Sequence, residues 1–241
     1  MKLNEFIQLG EENAIKYDFF NESTIPDSSR LIKEIYVALF PWYKEEPSYY
    51  SGDVINTYKR AIFREEGAHY INLPEIDQLR YLEIIKNHTK SLSNHVFGLE
   101  TFKILSDGMN KEIFTSEICN NHQLGNFWCL PLEKYQGSTL NTMKNSKCTD
   151  YMDLAIKQFK DYLNEKTMND FGLILSQASY YTDHFDDFDS FIEKNYLSDY
   201  IKQEEIVNLS ELTFEEYVVI VNRLVELRGR TMFRKLMSEL K

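Results

Sequence analysis

Asn121-His122-Gln123-Leu124-Gly125-Asn126-Phe127-Trp128-Cys129-Leu130-Pro131 is the run whose reading decides the fold. It sets a His, a Gly and an Asn of site-forming type beside an apolar run that belongs in a core. The chain on either side reads mostly as helix. This stretch reads as a turn followed by a short buried strand or extended piece, stopped by Pro131. The fold expected is mainly α: a single-domain irregular helical bundle with one or two short extended segments near 124–132. Residues 1–48 read as an N-terminal helical extension packed on a core of 49–241, all within one domain, 1–241.

The bulk composition agrees with helices. Only 9 Gly and 5 Pro interrupt 241 residues, while Tyr and Phe number 16 each and supply an aromatic core. A chain this long buries enough surface to fold without a metal or a disulfide. The formal charge of -11 argues against bulk DNA or RNA as a partner, because phosphate binding draws on a basic face. Arg223, Arg228, Arg230, Arg234 and Lys235 form a local basic exception. Met1-Lys2-Leu3-Asn4-Glu5 opens no apolar signal segment, and no apolar run approaches the roughly 18 residues of a membrane span. With three cysteines, a reducing cytoplasm is the expected compartment.

Upstream, Pro26-Asp27-Ser28-Ser29 supplies turn and cap chemistry for a helix through Leu31, Ile32, Ile35 and Leu39, which Pro41 ends. Trp42, Tyr43 and Pro47-Ser48-Tyr49-Tyr50 read as an aromatic loop. Ser51-Gly52-Asp53 reads as a helix start, followed by a stripe of Val54, Ile55, Tyr58, Ala61 and Ile62. Further helices are expected over 76–85 and 92–105, with a short apolar piece at 113–118. Downstream, Gly137-Ser138-Thr139-Leu140-Asn141 is followed by a polar loop ending at Thr149-Asp150. Helices follow through Tyr151, Leu154, Ala155, Phe159 and Tyr162, over 170–181, over 188–203, and from Thr213 to the end.

The last helix carries the most pointed candidate. Phe214, Tyr217, Val218, Val221, Leu224 and Val225 share one face, and the same phase puts Arg228 on it. A guanidinium on an apolar stripe must find an acceptor or reach water, since an unpaired buried charge is costly. A carboxylate from earlier in the chain is the expected acceptor; a bound anion is the sharper reading. Asp53 and Asn56 sit at one presumptive helix start, Asp150 and Asp153 at another, where capping explains the acids. His122 and Asn126 flank Gly125. If these groups share a cleft, His122 or Asp53 would move a proton, and Asn56, Asn126, Asp150, Asp153 and Arg228 would bind ligand.

Two other patterns weigh less. Cys119-x2-His122-x6-Cys129 fits no common zinc spacing, so neither metal nor cofactor is expected. Arg64 and His69 have the Arg-x4-His spacing of the all-α, metal-independent HEPN ribonucleases, but Glu65 stands where that class carries Asn, Asp or His. Gly67 also weakens the helix that would hold the pair.

Four stretches together resemble a family of uncharacterised bacterial proteins. They are Gly52-Asp53-Val54-Ile55-Asn56-Thr57-Tyr58; His122-Gln123-Leu124-Gly125-Asn126-Phe127 with Leu130-Pro131; Asn141, then Thr149-Asp150-Tyr151-Met152-Asp153-Leu154; and Phe191-Ile192-Glu193-Lys194-Asn195, then Glu226-Leu227-Arg228-Gly229. The similarity spans residue 49 to the C-terminus. It departs at Gln123 for Thr, Met152 for Trp and Lys144 for Arg. The resemblance implies relatedness and a shared polar site, not a reaction. Two functions are therefore expected. The first is an interaction or defence-type protein, an antitoxin or anti-phage component, working through protein contacts. The second is a hydrolase- or nuclease-like enzyme that binds a nucleotide or other small phosphate-bearing ligand in the Asp/Asn/His/Arg cleft.

Overall fold

A computed structural model describes residues 1–23, 29–56, 122–148, 151–212 and 214–240. The expected helices over 76–85 and 92–105, the piece at 113–118, and Arg64, His69, Cys119 and Asp150 lie outside the described residues.

The described chain is 61% helical with 10% strand, and it holds two small antiparallel sheets and ten helices. The fold is therefore mixed, which corrects the mainly α expectation. The largest departure is at Tyr50–Val54, a strand (β1), where a helix start was read. β1 pairs antiparallel with β2, Phe127–Pro131, in the register Tyr50↔Pro131 through Val54↔Phe127. The reason is backbone accounting. Every residue of β2 is buried, so its peptide groups cannot turn to water and need a ladder partner. A second departure follows Asn195. The expected helix over 188–203 stops at Lys194, and Ile201–Lys202 (β3) and Glu205–Ile206 (β4) form a hairpin. Its turn holds Gln203 and Glu204 at φ 52 and 67; the usual Asn-Gly signal for such a turn is missing from the sequence.

The helices are α1 (Leu3–Gln8), α2 (Glu11–Ala14), α3 (Arg30–Leu39), α4 (Pro41–Glu45), α5 (Leu140–Lys147), α6 (Met152–Glu165), α7 (Asp170–Gln177), α8 (Ser179–Thr182), α9 (Phe188–Lys194) and α10 (Phe214–Glu239). Ser29 caps α3 by accepting from the Ile32 N–H, and Leu31, Ile32, Ile35, Tyr36 and Leu39 form its buried face. Phe40 is extended because proline follows, and Pro41 then occupies the first turn of α4. That helix replaces the expected aromatic loop. Likewise α5 replaces a polar loop, capped by the Thr139 side chain. Asn169 and Asp187 cap α7 and α9.

β2 is the axis of the core. Trp128 packs on Phe159 of α6 and Phe191 of α9, at ring separations of 5.4 and 6.3 Å. Phe127 meets Phe19 at 5.1 Å. Tyr36 of α3 donates its hydroxyl to the Trp128 carbonyl at 3.2 Å. α10 closes the assembly by crossing the turn Leu124–Asn126 that leads into β2. Among the described residues no helix is long and apolar enough to cross a membrane.

Candidate functional site

The turn before β2 and the middle of α10 touch main chain to main chain. A Cβ added to Gly125 would lie 1.8 Å from the Val225 carbonyl oxygen and 2.6 Å from the Gly229 nitrogen. Glycine is required here for space, not for its torsional freedom. The close approach brings Arg228 directly onto the turn. Its side chain is fully buried, at 0% exposure. Nε donates to the Asn195 carbonyl at 3.1 Å, and Nη1 donates to the Gly125 and Phe127 carbonyls at 2.7 Å each. The Asn126 carbonyl accepts from the Ile55 N–H on the β1 side. The next carbonyl, that of Phe127, faces the opposite edge, where Arg228 stands in for a third strand.

The expected carboxylate partner is therefore replaced by three peptide oxygens. Burial pushes the Arg228 pKa down to about 10, against the opposing influence of Tyr200, Tyr36 and Tyr196. The group remains cationic at neutral pH. Asn195, whose carbonyl receives Nε, also accepts from the Trp128 indole N–H through Oδ1 at 2.9 Å. The guanidinium thus ties α9, α10 and β2 together.

Asn126 and Asn56 extend the ladder by one side-chain pair. Asn126 Oδ1 accepts from the Asn56 backbone N–H at 2.9 Å, and Asn126 Nδ2 donates to the Asn56 carbonyl at 2.9 Å. The side-chain amide thereby does what a peptide group of a third residue would do. Asn56 Nδ2 donates to the Tyr200 hydroxyl at 2.6 Å. Burial pushes the Tyr200 pKa up to about 12, which keeps that hydroxyl neutral and able to donate in turn. Both asparagines are 0% exposed.

Asp53 lies in β1, and its carboxylate meets Lys144 Nζ of α5 at 3.0 Å. Lys144 also donates to the Val54 carbonyl at 2.6 Å. This buried pair was missed from the sequence because 141–147 reads as polar loop. The one available signal is the helical spacing of Leu140, Met143, Lys144 and Lys147. Asn195 and Tyr200, which complete the network, carry no local sequence signal for this role.

The structure thus brings Asp53, Asn56, Asn126 and Arg228 to one end of the β1–β2 ladder. His122 is buried at the start of the same turn, its ring 6.4 Å from that of Phe127. Asp153 is engaged elsewhere: its Oδ2 accepts from Ser210, from the backbone N–H at 3.1 Å and from the hydroxyl at 2.7 Å. Two buried atoms of the network, Arg228 Nη2 and Asn56 Oδ1, find no hydrogen-bond partner among the described residues. The same residues hold no group of three or more His, Cys, Asp or Glu arranged to bind a metal ion.

Two open concavities among the described residues lie away from this network. A groove of about 620 Å³ runs between α1, α3 and the C-terminal end of α10, with Leu3, Val37, Pro41, Lys235 and Leu240 among its walls. Another of about 580 Å³ is lined by Lys160, Asp187, Phe188 and Ile201. Neither contains a residue nominated from the sequence.

A family model described as a family of unknown function (DUF6994) matches residues 83–221. The matched span includes the run 122–131 and the Asp-Tyr-x-Asp-Leu stretch, and it stops before Arg228. No curated protein and no solved structure matches the chain.

Proposed function

The chain belongs to the DUF6994 family, whose function is unknown, and we propose that it is an interaction module that works through protein contacts. On this reading its nominated polar residues are the clasp that holds the scaffold together. One observation carries the reading: Arg228 is wholly enclosed, with Nε and Nη1 committed to main-chain carbonyls. A guanidinium spent in this way organises a fold; an anion-binding Arg keeps a fork free for its ligand. The acidic surface that accompanies a charge of -11 suits a basic partner. An antitoxin or an anti-phage component that restrains such a partner is the kind of interaction protein this describes.

A second reading has its own observation. Arg228 Nη2 and Asn56 Oδ1, a donor and an acceptor in one network, are without partners among the described residues. A small polar or phosphate-bearing molecule would use both, and on this reading His122 or Asp53 would move a proton.

One experiment separates the two. Wild type, Arg228→Lys and His122→Ala are melted with and without a panel of nucleotides and inorganic phosphate. The interaction reading expects Arg228→Lys to lose about 2–4 kcal/mol, because one ammonium cannot serve three separated carbonyls. It expects no compound to raise the wild-type melting temperature. A compound that stabilises wild type by several degrees and leaves Arg228→Lys unmoved would overturn it in favour of the ligand site.

A further inference from the structure

On the face of the molecule where β1 begins, two tyrosines lie side by side at the surface. Tyr49 is 49% exposed, and its ring centroid is 5.0 Å from that of the partly buried Tyr180, with the planes tilted by 56°. Leu132, 41% exposed, is pinned beside them by its N–H bond to the Tyr49 carbonyl at 2.8 Å. The Tyr180 hydroxyl donates to the same carbonyl at 3.3 Å, and the Tyr50 hydroxyl donates to the Tyr180 carbonyl at 3.4 Å. The patch is thus built from the start of the ladder and from α8, which are cross-bonded. It is preformed, and binding to it would incur little ordering cost.

The charge around the patch is negative. Burial raises the pKa of the Tyr180 hydroxyl, and Glu133 beside it raises it further. Glu45 bears on Tyr50 and has a largely exposed side chain, 3.8 Å from His184. Exposed Glu46 follows it and accepts from the Ser48 hydroxyl at 2.7 Å. The cations in these two stretches are Lys134, which is exposed, and Lys44, which lies on the separate groove with Lys235. Electron-rich ring faces, an aliphatic shelf and a rim of carboxylates are what an Arg or Lys side chain needs: a face for the cation, a surface for the stem and oxygens for the donors.

We propose that Tyr49, Tyr180, Leu132 and Glu133, flanked by Glu45, form a docking surface for an Arg- or Lys-bearing segment of a partner protein. The proposal rests on the interaction reading above and gives it a location and a partner chemistry.

The probe is a fluorescent, end-blocked decapeptide of alternating Arg and Gly, titrated into the full chain at low salt. The same peptide with citrulline for arginine removes the charge and keeps the shape. Wild type is expected to bind the arginine peptide at least tenfold more tightly than the citrulline one. Tyr49→Ala and Glu133→Gln are each expected to weaken binding about three- to fivefold, the scale of an exposed cation–π or ion-pair contact. Tyr49→Phe keeps the ring face and is expected to bind as wild type does. Asp186→Asn, just before α9, and Asp189→Asn, within it, are expected to change nothing. Melting curves check the fold of each variant; Tyr49 is exposed enough for truncation to leave it intact. Equal weakening by the Asp186 and Asp189 variants would mean diffuse attraction to an acidic surface and would overturn the proposal. Absence of binding, or equal binding of the citrulline peptide, would overturn it too. These outcomes leave the interaction reading standing, because that reading falls to a different result, ligand-dependent melting through Arg228.

Discussion

Arg228 and Arg230 stand two residues apart on the same helix and solve opposite problems. Arg228 is enclosed and is held by three main-chain carbonyls. Arg230 is near the surface and is held by three carboxylates, those of Glu11, Glu12 and Glu226. Arg234 adds two more bonds to Glu11, from Nε and Nη2, at 2.9 Å each. Counted by ion pairs, the surface cluster looks the stronger, and its acids hold the Arg230 guanidinium even more firmly protonated. Counted by what removal leaves behind, the order reverses. Water and salt replace a lost surface partner, whereas each buried carbonyl stripped of its donor costs about 1–3 kcal/mol. The enclosed arginine joins α9, α10 and β2 from within; the partly exposed one fastens α2 to α10 near the surface.

The sharpest way to break this contrast is at the point where α10 meets the turn. Gly125→Ala drives a methyl group into the Val225 carbonyl, a backbone atom that cannot swing away. The helix must lift, and Arg228 must leave its acceptors. A loss of more than about 4 kcal/mol is expected in denaturant melts. Gly229→Ala, on the other side of the same contact, has its nearest neighbour at 3.3 Å. It is expected to stay within about 1 kcal/mol of wild type, since the gain in helix propensity offsets the crowding. A loss from Gly125→Ala as small as that from Gly229→Ala would show that the contact is looser than the geometry says.

Asn126→Asp tests the amide pair at nearly constant shape. It replaces the Nδ2 donor with an acceptor facing the Asn56 carbonyl and introduces a charge at a fully buried position. A loss of about 3 kcal/mol is expected at pH 7. Burial raises the pKa of the new carboxyl, so the neutral, donating form prevails as pH falls. The deficit should therefore shrink by pH 4. A deficit independent of pH would mean that the amide hydrogen is not what matters there.

These residues also show how far the sequence was readable. The face of α10, with Tyr217, Val221, Leu224, Val225 and Arg228 in phase, follows from spacing alone, as does that of α3. β1 does not. Ser51-Gly52-Asp53 ahead of Val54 and Ile55 has the form of a capped helix, and only pairing with a strand more than seventy residues later makes it extended. Lys144 was hidden in a segment whose polarity resembles a loop, although it serves Asp53 and the Val54 carbonyl. The acceptors of Arg228 were illegible for a more basic reason. Carboxylates are marked in a sequence, but every residue carries a carbonyl, so a cation bound to main chain leaves no trace in the identities around it.

The smallest effect is the one that makes the contrast quantitative. Arg230→Gln removes the hub of the surface cluster and leaves Glu11 with Arg234. Because Arg230 is only partly buried and its partner Glu12 is exposed, the melting temperature is expected to fall slightly at low ionic strength. The difference should vanish near 1 M salt, where screening acts over about 3 Å. Arg228→Lys should keep its full deficit at that salt concentration, since ions cannot enter to replace the missing donors. If the Arg230 deficit matched that of Arg228→Lys, or both persisted unchanged in salt, enclosure would not be what separates the two arginines, and the inward clasp would lose its claim to organise the fold.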